Sequence, residues 1–470
     1  MNITALAVLL IAVQGPAAQP ESFVPQVVTL DITVDYGART VSGSIVYTLA
    51  NWTDHPARRV SFLANRLMDV AAITDGAGRP LRFTHDVVRF TDDPMRQVTQ
   101  VLVTLRHPIP VGGTTSVRLE YGGYLTGYTE VGWLYVKDHI DTTFTIIRED
   151  ALAFPVIGGI SDAANRKRPR PDFTYDASVS VPARYVVATG GSATRTPHAD
   201  GTTTWRYQSG APSPFLNIAI APFDSLAGEG VRIFYFRDDS AGARRLMASG
   251  QAALQTLAQW LGPRRRAASL AVTEIPDGWG SQANAVGGII QTASAFRDST
   301  RIGELYHELS HLWNTKDLEN PSPRWNEGLA TFFEALMRER LNGWTGRPDY
   351  YQRRIAGLRS AVAADSTLRR IPFVDYGKQA MTGASYRVGD LMFATLYELV
   401  GAERFNQIVG GYFQRYPNGG TTRDFVAVAT QGAPELSPFF EDWLFTTRWT
   451  DRLSVDSVAA IAALYRGAGH

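Results

Sequence analysis

The residues of this chain whose types and spacing could do chemistry are His307-Glu308-Leu309-Ser310-His311, followed by Asn326-Glu327-Gly328. A helix turns about 100° per residue, so side chains four apart lie within about 40° of each other. His307 and His311 therefore leave one face, as two ligands of one metal ion must. Glu308 stands beside them, turned away from direct ligation yet near enough to act on water at the metal. Glu327 follows His311 by sixteen positions, past a break at Asn320-Pro321-Ser322-Pro323 that lets a second helix return with a third donor. Two imidazoles and one carboxylate, with a position left open, form the donor set of a catalytic Zn2+ site. A surface helix can carry His-Glu-x-x-His by accident, but with eight histidines in the chain that coincidence is on the order of one in a hundred.

Ser322 suits the N-cap of the second helix and Pro323 its first position. Trp325, Leu329, Phe332, Phe333 and Leu336 give it a core face. Glu334 lies two turns beyond Glu327 and on the same side. It could accept the free N–H of a ligand histidine and fix its tautomer; an ordinary solvent-facing glutamate satisfies the same spacing.

These donors need a frame, and 470 residues exceed one ordinary core, so two or three domains are expected. A formal charge of +1 offers no electrostatic reason to expect nucleic acid or an acidic surface as partner. The chain has no cysteine, which removes disulfides, thiolate ligands and thiol nucleophiles together. Residues 1–18 read as a signal peptide: Ala5 to Val13 is apolar and Gly15-Pro16-Ala17-Ala18 supplies small residues for cleavage. Its start carries no Lys or Arg, so a plain N-terminal segment of a cytoplasmic protein is the alternative. No later stretch is apolar for long enough to cross a bilayer. The expectation is an exported protein, periplasmic or extracellular, with no membrane span.

Residues 19–225 read as an antiparallel β-domain. Thr29 to Asp35, Ser42 to Leu49 and Gln100 to Leu105 alternate apolar and polar residues, with turn signals such as Asp75-Gly76-Ala77-Gly78 between strands. Asn51-Trp52-Thr53 matches a glycosylation sequon, a common chance pattern. The clusters Arg166-Lys167-Arg168 and Arg264-Arg265-Arg266 read as solvated loops rather than phosphate sites. Residues 226–470 then become mainly helical. Ala241 to Leu261 is amphipathic and stops at Gly262-Pro263; later helices run through Tyr386 to Val400, Ala402 to Tyr416, Thr422 to Thr430 and Ser437 to Phe445. Between them, Gly287-Gly288-Ile289-Ile290 suggests a sheet edge to which a peptide backbone could add itself.

Taken together these motifs resemble the aminopeptidase N family of zinc metallopeptidases, the gluzincins that include leukotriene hydrolase; His311 to Asn314 is also similar to glycyl aminopeptidases. Ala153-Phe154-Pro155, Pro212 to Ala219, Ser385-Tyr386-Arg387-Val388-Gly389 and Phe439 to Leu444 look like family segments, so the resemblance runs from about Thr29 to Ser454. It implies a multidomain α+β fold, in which the β-domain precedes a thermolysin-like zinc peptidase domain with a helical C-terminal part. It also implies a peptide or protein substrate, with Tyr386 donating to the developing oxyanion. Three departures stand out, and the first two concern length: the His311–Glu327 gap is shorter than in aminopeptidase N, and there is no room for a further large helical domain. The third bears on specificity. Gly287-Gly288-Ile289-Ile290-Gln291 occupies the place of the exopeptidase motif, whose glutamate holds the substrate's α-amine; here that position is Ile290. Glu149 or Asp150 is the substitute anchor the sequence offers.

The expected chemistry is hydrolysis of peptide bonds by an aminopeptidase. His307, His311 and Glu327 hold zinc, Glu308 moves the proton, Tyr386 stabilises charge, and Gly287 and Gly288 offer backbone. An endopeptidase of the same fold, or a non-catalytic binding protein on a peptidase scaffold, is the alternative. Oligomeric state is not encoded in any motif.

Overall fold

A computed structural model describes residues 21–125, 140–169, 171–265, 270–278, 280–283, 287–319, 327–379 and 381–466. The expected signal peptide, the Ser322-Pro323 helix start and Trp325 lie outside the described residues.

Alternation builds the N-terminal half. In β1 (Phe23–Asp35), Val28, Leu30, Ile32 and Val34 are buried while the residues between them face outward, because a strand turns successive side chains to opposite faces. β2 (Thr40–Asn51), β4 (Met68–Asp75), β7 (Thr114–Gly123), β10 (Thr174–Pro182), β12 (Ser192–Pro197) and β13 (Thr202–Gln208) join it in the order β12-β13-β10-β1-β2-β7-β4. A second sheet, β5-β6-β3-β9, is formed by β3 (Ala57–Asn65), β5 (Arg82–Arg89), β6 (Gln97–Ile109) and β9 (Val156–Ile157). One core contains Ile32, Ile45 and Leu119 of the first sheet together with Val60, Phe62 and Val101 of the second. Pairing is antiparallel throughout both sheets except between β1 and β10, which run parallel. A third, short sheet, β11-β14-β8, comprises β8 (Thr145–Arg148), β11 (Val186–Ala188) and β14 (Asn217–Ala221).

The Asn51 sequon is a structural asparagine. Its side chain is buried, and its amide donates to the His55 and Ile109 carbonyls, each at 2.9 Å. Those bonds occupy the nitrogen a glycan would need.

The second half opens with a five-stranded mixed sheet, β15-β16-β17-β19-β18, made by β15 (Asp224–Gly228), β16 (Val231–Tyr235), β17 (Leu270–Ile275), β18 (Gln282–Ala283) and β19 (Gly288–Thr292). Helix α1 (Ser240–Leu261) buries Leu246, Ala253, Leu257 and Leu261 along one stripe. It ends where Gly262 adopts a left-handed φ of 86°, as glycine allows. The metal-motif helices α2 (Ile302–Ser310) and α3 (Glu327–Asn342) follow, then α4 (Arg347–Ala364), α5 (Thr382–Arg415), α6 (Thr422–Thr430) and α7 (Val458–Arg466). Helix α5 is broken at Gly401, φ 78°, the point at which the sequence separates two helices. Among the described residues no helix is long and apolar enough to cross a membrane.

A small apolar seam joins the halves. Phe144, Ile146, Ala219 and Phe223 from the first pack with Phe234, Ile275 and Ile290 from the second.

Candidate active site

Helix α2 presents His307 from its last α-helical turn. The chain then tightens into a 3-10 turn over His311–Trp313, but His311 keeps helical angles (φ −59°, ψ −20°), so the four-residue relation to His307 survives. On α3, Leu329, Phe332, Phe333 and Leu336 are buried as the periodicity predicts, and this packing turns Glu327 toward α2. The outcome is a cluster in which one ligand atom from each of His307, His311 and Glu327 lies within 4.8 Å of the others. Glu327 Oε2 is 2.9 Å from His307 Nε2 and 3.5 Å from His311 Nε2. Zinc bonds of about 2.0–2.1 Å in a tetrahedron require ligand atoms about 3.3–3.4 Å apart. The two measured separations bracket that value, so the donors fit Zn2+.

Electrostatics favour the same role. Burial opposes the charged form of Glu327, yet hydrogen bonds from His307 and His311 hold its carboxyl well below the usual range. Glu308 behaves oppositely. It is buried, and this desolvation, reinforced by Glu327, Glu304 and Glu334, outweighs the nearby His307 and pushes its carboxyl up to about 8. The two neighbouring glutamates are thus shifted in opposite directions by their surroundings;.

Tyr386, on α5, lies parallel to the His307 ring, with centroids 6.3 Å apart and planes within 7°. Backbone contact sets this spacing. A Cβ on Gly328 would meet the Gly389 Cα at 2.7 Å, so α3 and α5 touch at a glycine pair one residue from the ligand Glu327 and three from Tyr386. Glu334 reaches the side of His307, its Oε2 3.7 Å from Nδ1. Burial raises its carboxyl. Gly303, one turn before His307, has no side chain to displace it: a Cβ there would meet Glu334 Oε1 at 2.8 Å.

Some supports are absent from the sequence reading. Asn314 Nδ2 donates to His311 Nδ1 at 2.6 Å; rotating the amide presents its oxygen to an Nδ1–H instead, which is the tautomer that leaves Nε2 for metal. Glu304, on α2, accepts from Gln291 Nε2 at 3.1 Å and from Thr292 Oγ at 3.0 Å. This couples the metal helix to β19. Spacing shows neither contact. The nearest available signal was Asn314, three residues after a ligand histidine at a helix end.

The substrate-side expectations fare unevenly. Gly287, with a left-handed φ of 88°, shares a cavity of about 320 Å³ with His311 and Asn314. Gly288 begins β19, but the edge strand of the sheet is β18, which pairs with Ile289 and Ile290. The edge is therefore displaced by one short strand, because the chain folds back before β19. Ile290 is buried in the apolar seam and offers no partner for an ammonium group. Glu149 does not replace it: its Oε2 accepts the Leu216 N–H at 3.2 Å, and it lines a small cavity with Tyr47, Phe154 and Arg168, all from the β-domain. The residue after a strand end is set by that strand's pleat, and here the pleat turns Glu149 inward. Asp150 comes closer to the sheet, but it is held by Arg148, whose guanidinium also meets Gln282 of β18.

Comparison with solved structures finds the same fold in a zinc metallopeptidase and in a hydrolase. The M1 zinc metallopeptidase of Deinococcus radiodurans, bound to a Tyr-Ser-Ala substrate, superposes with a TM-score of 0.63 at 19% identity, over 90% of this chain and 94% of that one. Its structure without that substrate gives 0.63 over 91% and 95%. Yeast LTA4 hydrolase in complex with bestatin gives 0.64 at 15% identity, over 94% of this chain and 72% of that one. No family model matches the sequence, and a search of curated proteins finds no match.

Proposed function

We propose that this chain is a zinc metallopeptidase of the M1 fold that hydrolyses peptide bonds, releasing residues from the amino end of its substrates. The observation that carries the reading is the convergence of His307, His311 and Glu327 beside a buried Glu308 and a tyrosine. Zinc held by these donors supplies Lewis acidity toward the scissile carbonyl and a nucleophilic water near neutral pH. The Glu308 carboxylate takes a proton from water and delivers it to the nitrogen of the leaving amine. Tyr386 Oη–H donates to the carbonyl oxygen as negative charge builds there. Asn314 and Glu334 hold the imidazoles in orientation. The shared fold supports this assignment, and a binding protein on a retired scaffold would have no use for ligands, base and tyrosine together.

Glu308→Gln tests it: the variant retains stoichiometric zinc and loses peptide hydrolysis by about 10²–10⁴-fold. Hydrolysis at the parental rate would remove the mechanism.

One observation favours a second reading, an endopeptidase. Ile290 is buried among apolar side chains, and Asp150 is paired with Arg148. Rates on one peptide with its amine free and acetylated separate the two; equal rates identify the endopeptidase. Export through residues 1–18 belongs to the same proposal, and the N-terminal sequence of the mature protein checks it.

A further inference from the structure

The cavity that His311 lines is not neutral. Beyond His311, Asn314 and Gly287 its wall carries Arg264, Arg265 and Lys316. These three cations differ in what they face. Lys316 is paired with Asp172 at 3.0 Å, and Asp172 also lines the cavity, so this pair contributes little net charge. Arg265 lies over the Phe413 ring, 3.8 Å from its centroid, and donates to the Tyr416 and Pro417 carbonyls. These contacts fix the guanidinium in place on the cavity wall. Arg264, half-buried in the same wall, makes no hydrogen bond or ion pair with any described residue.

A half-buried arginine with no acidic partner among the described residues is a cost the fold does not need for packing;. Its planar guanidinium matches a carboxylate through two parallel hydrogen bonds. At about 320 Å³ the cavity falls within the usual range of ligand sites, and His311, one of the three metal ligands, forms part of its wall.

We propose that Arg264, supported by Arg265, forms a carboxylate-binding subsite for the part of the peptide substrate that extends from the metal past Gly287. The inference rests on the peptidase reading above and adds a specificity: substrates bearing a carboxylate close to the scissile bond. That carboxylate is either the C-terminus of a short peptide or an Asp or Glu side chain.

The test uses zinc-loaded full-length protein and four versions of one short neutral peptide. The C-terminus is free or amidated, and the residue after the scissile bond is Gln or Glu. The wild type should favour at least one carboxylate form by about tenfold or more in kcat/KM, the scale of hydrogen bonds to charged groups. A preference for the free acid assigns the C-terminus; a preference for Glu assigns the side chain. Arg264→Gln should bring that ratio toward one, Arg264→Lys should keep part of it, and raised salt should reduce it in the wild type. Equal rates on all four peptides overturn the subsite while leaving the peptidase intact. So does an Arg264→Gln variant that slows charged and neutral peptides by one common factor. Failure to cleave any of the four, with zinc bound, overturns the peptidase reading and this inference with it.

Discussion

Replacing Gly328 by Ala tests whether the glycine contact between α3 and α5 sets the catalytic geometry. The added Cβ would stand 2.7 Å from the Gly389 Cα, 3.0 Å from its carbonyl carbon and 3.3 Å from the Asp390 nitrogen. All three are backbone atoms, so no side chain can swing aside. Carbon atoms pack best at about 3.5–4.0 Å, so the helices must separate by roughly 1 Å. Overpacking of this kind costs about 1–3 kcal/mol. Against it stands the gain of about 1 kcal/mol from placing Ala rather than Gly inside a helix. Stability should therefore fall only slightly, and the main effect is on chemistry. Tyr386 rides on α5, whereas all three metal ligands sit at the α2–α3 contact. A displacement of about 1 Å costs on the order of 10²-fold in rate. The expected variant melts within a few degrees of the parent, keeps its zinc, and cleaves a fluorogenic peptide about 100-fold more slowly, with most of the loss in kcat. A folded, zinc-loaded variant with parental kcat would refute the claim that this contact positions the tyrosine.

Three further outcomes follow from the same geometry. Asn314→Ala removes the group that orients His311 and should weaken zinc affinity or activity about 10–100-fold, read by competition with a chelator. Chelator treatment of the wild type should abolish hydrolysis, and stoichiometric zinc should restore it, with activity following the metal content. Glu274 governs a pH effect away from the metal. It is fully buried, and this burial, with the Asp239 carboxylate beside it, pushes its carboxyl from 4.5 to about 9, while Arg297 holds Asp239 ionised. Between those pH values the folded chain keeps a proton that the unfolded chain releases, so this contribution to stability is complete below about 4.5 and is lost as pH rises toward 9;. Glu274→Gln removes the titration, so melting temperature should fall less steeply across that window than in the wild type. Parallel melting curves for the two proteins would count against it.

The metal site was legible because its geometry is local. Four residues along a helix fix the relation of His307 to His311, and seven fix that of Glu327 to Glu334, whatever the rest of the chain does. The broken helix at Gly401 was legible for the same reason. Contacts that depend on how a helix ends or on tertiary placement were not. Asn314 reaches His311 because the helix tightens at its end, and Glu304 meets Gln291 across a strand–helix junction. Gly328 meets Gly389 only after two helices have packed. The β1–β10 pairing joins segments about 145 residues apart in register, Val27 opposite Thr174, and its parallel sense cannot be read from alternation. Glu149 illustrates the converse error: chain proximity to a family-like segment said nothing about which way the side chain points. Asn51 shows that a modification pattern carries no information on burial.

Ile290 belongs at once to the strand that is bonded to the metal-bearing helix through Gln291 and Thr292 and to the seam with the N-terminal half. The two halves are therefore not interchangeable modules. Expressed alone, residues 226–470 would turn Phe234, Ile275 and Ile290 toward water, leaving a greasy flank along the sheet that carries Gly288, and the fragment should self-associate instead of working as a smaller enzyme. Pro171, Asp172 and Pro212 of the N-terminal half also line the cavity beside His311, so that half is part of the chamber wall and not a passenger.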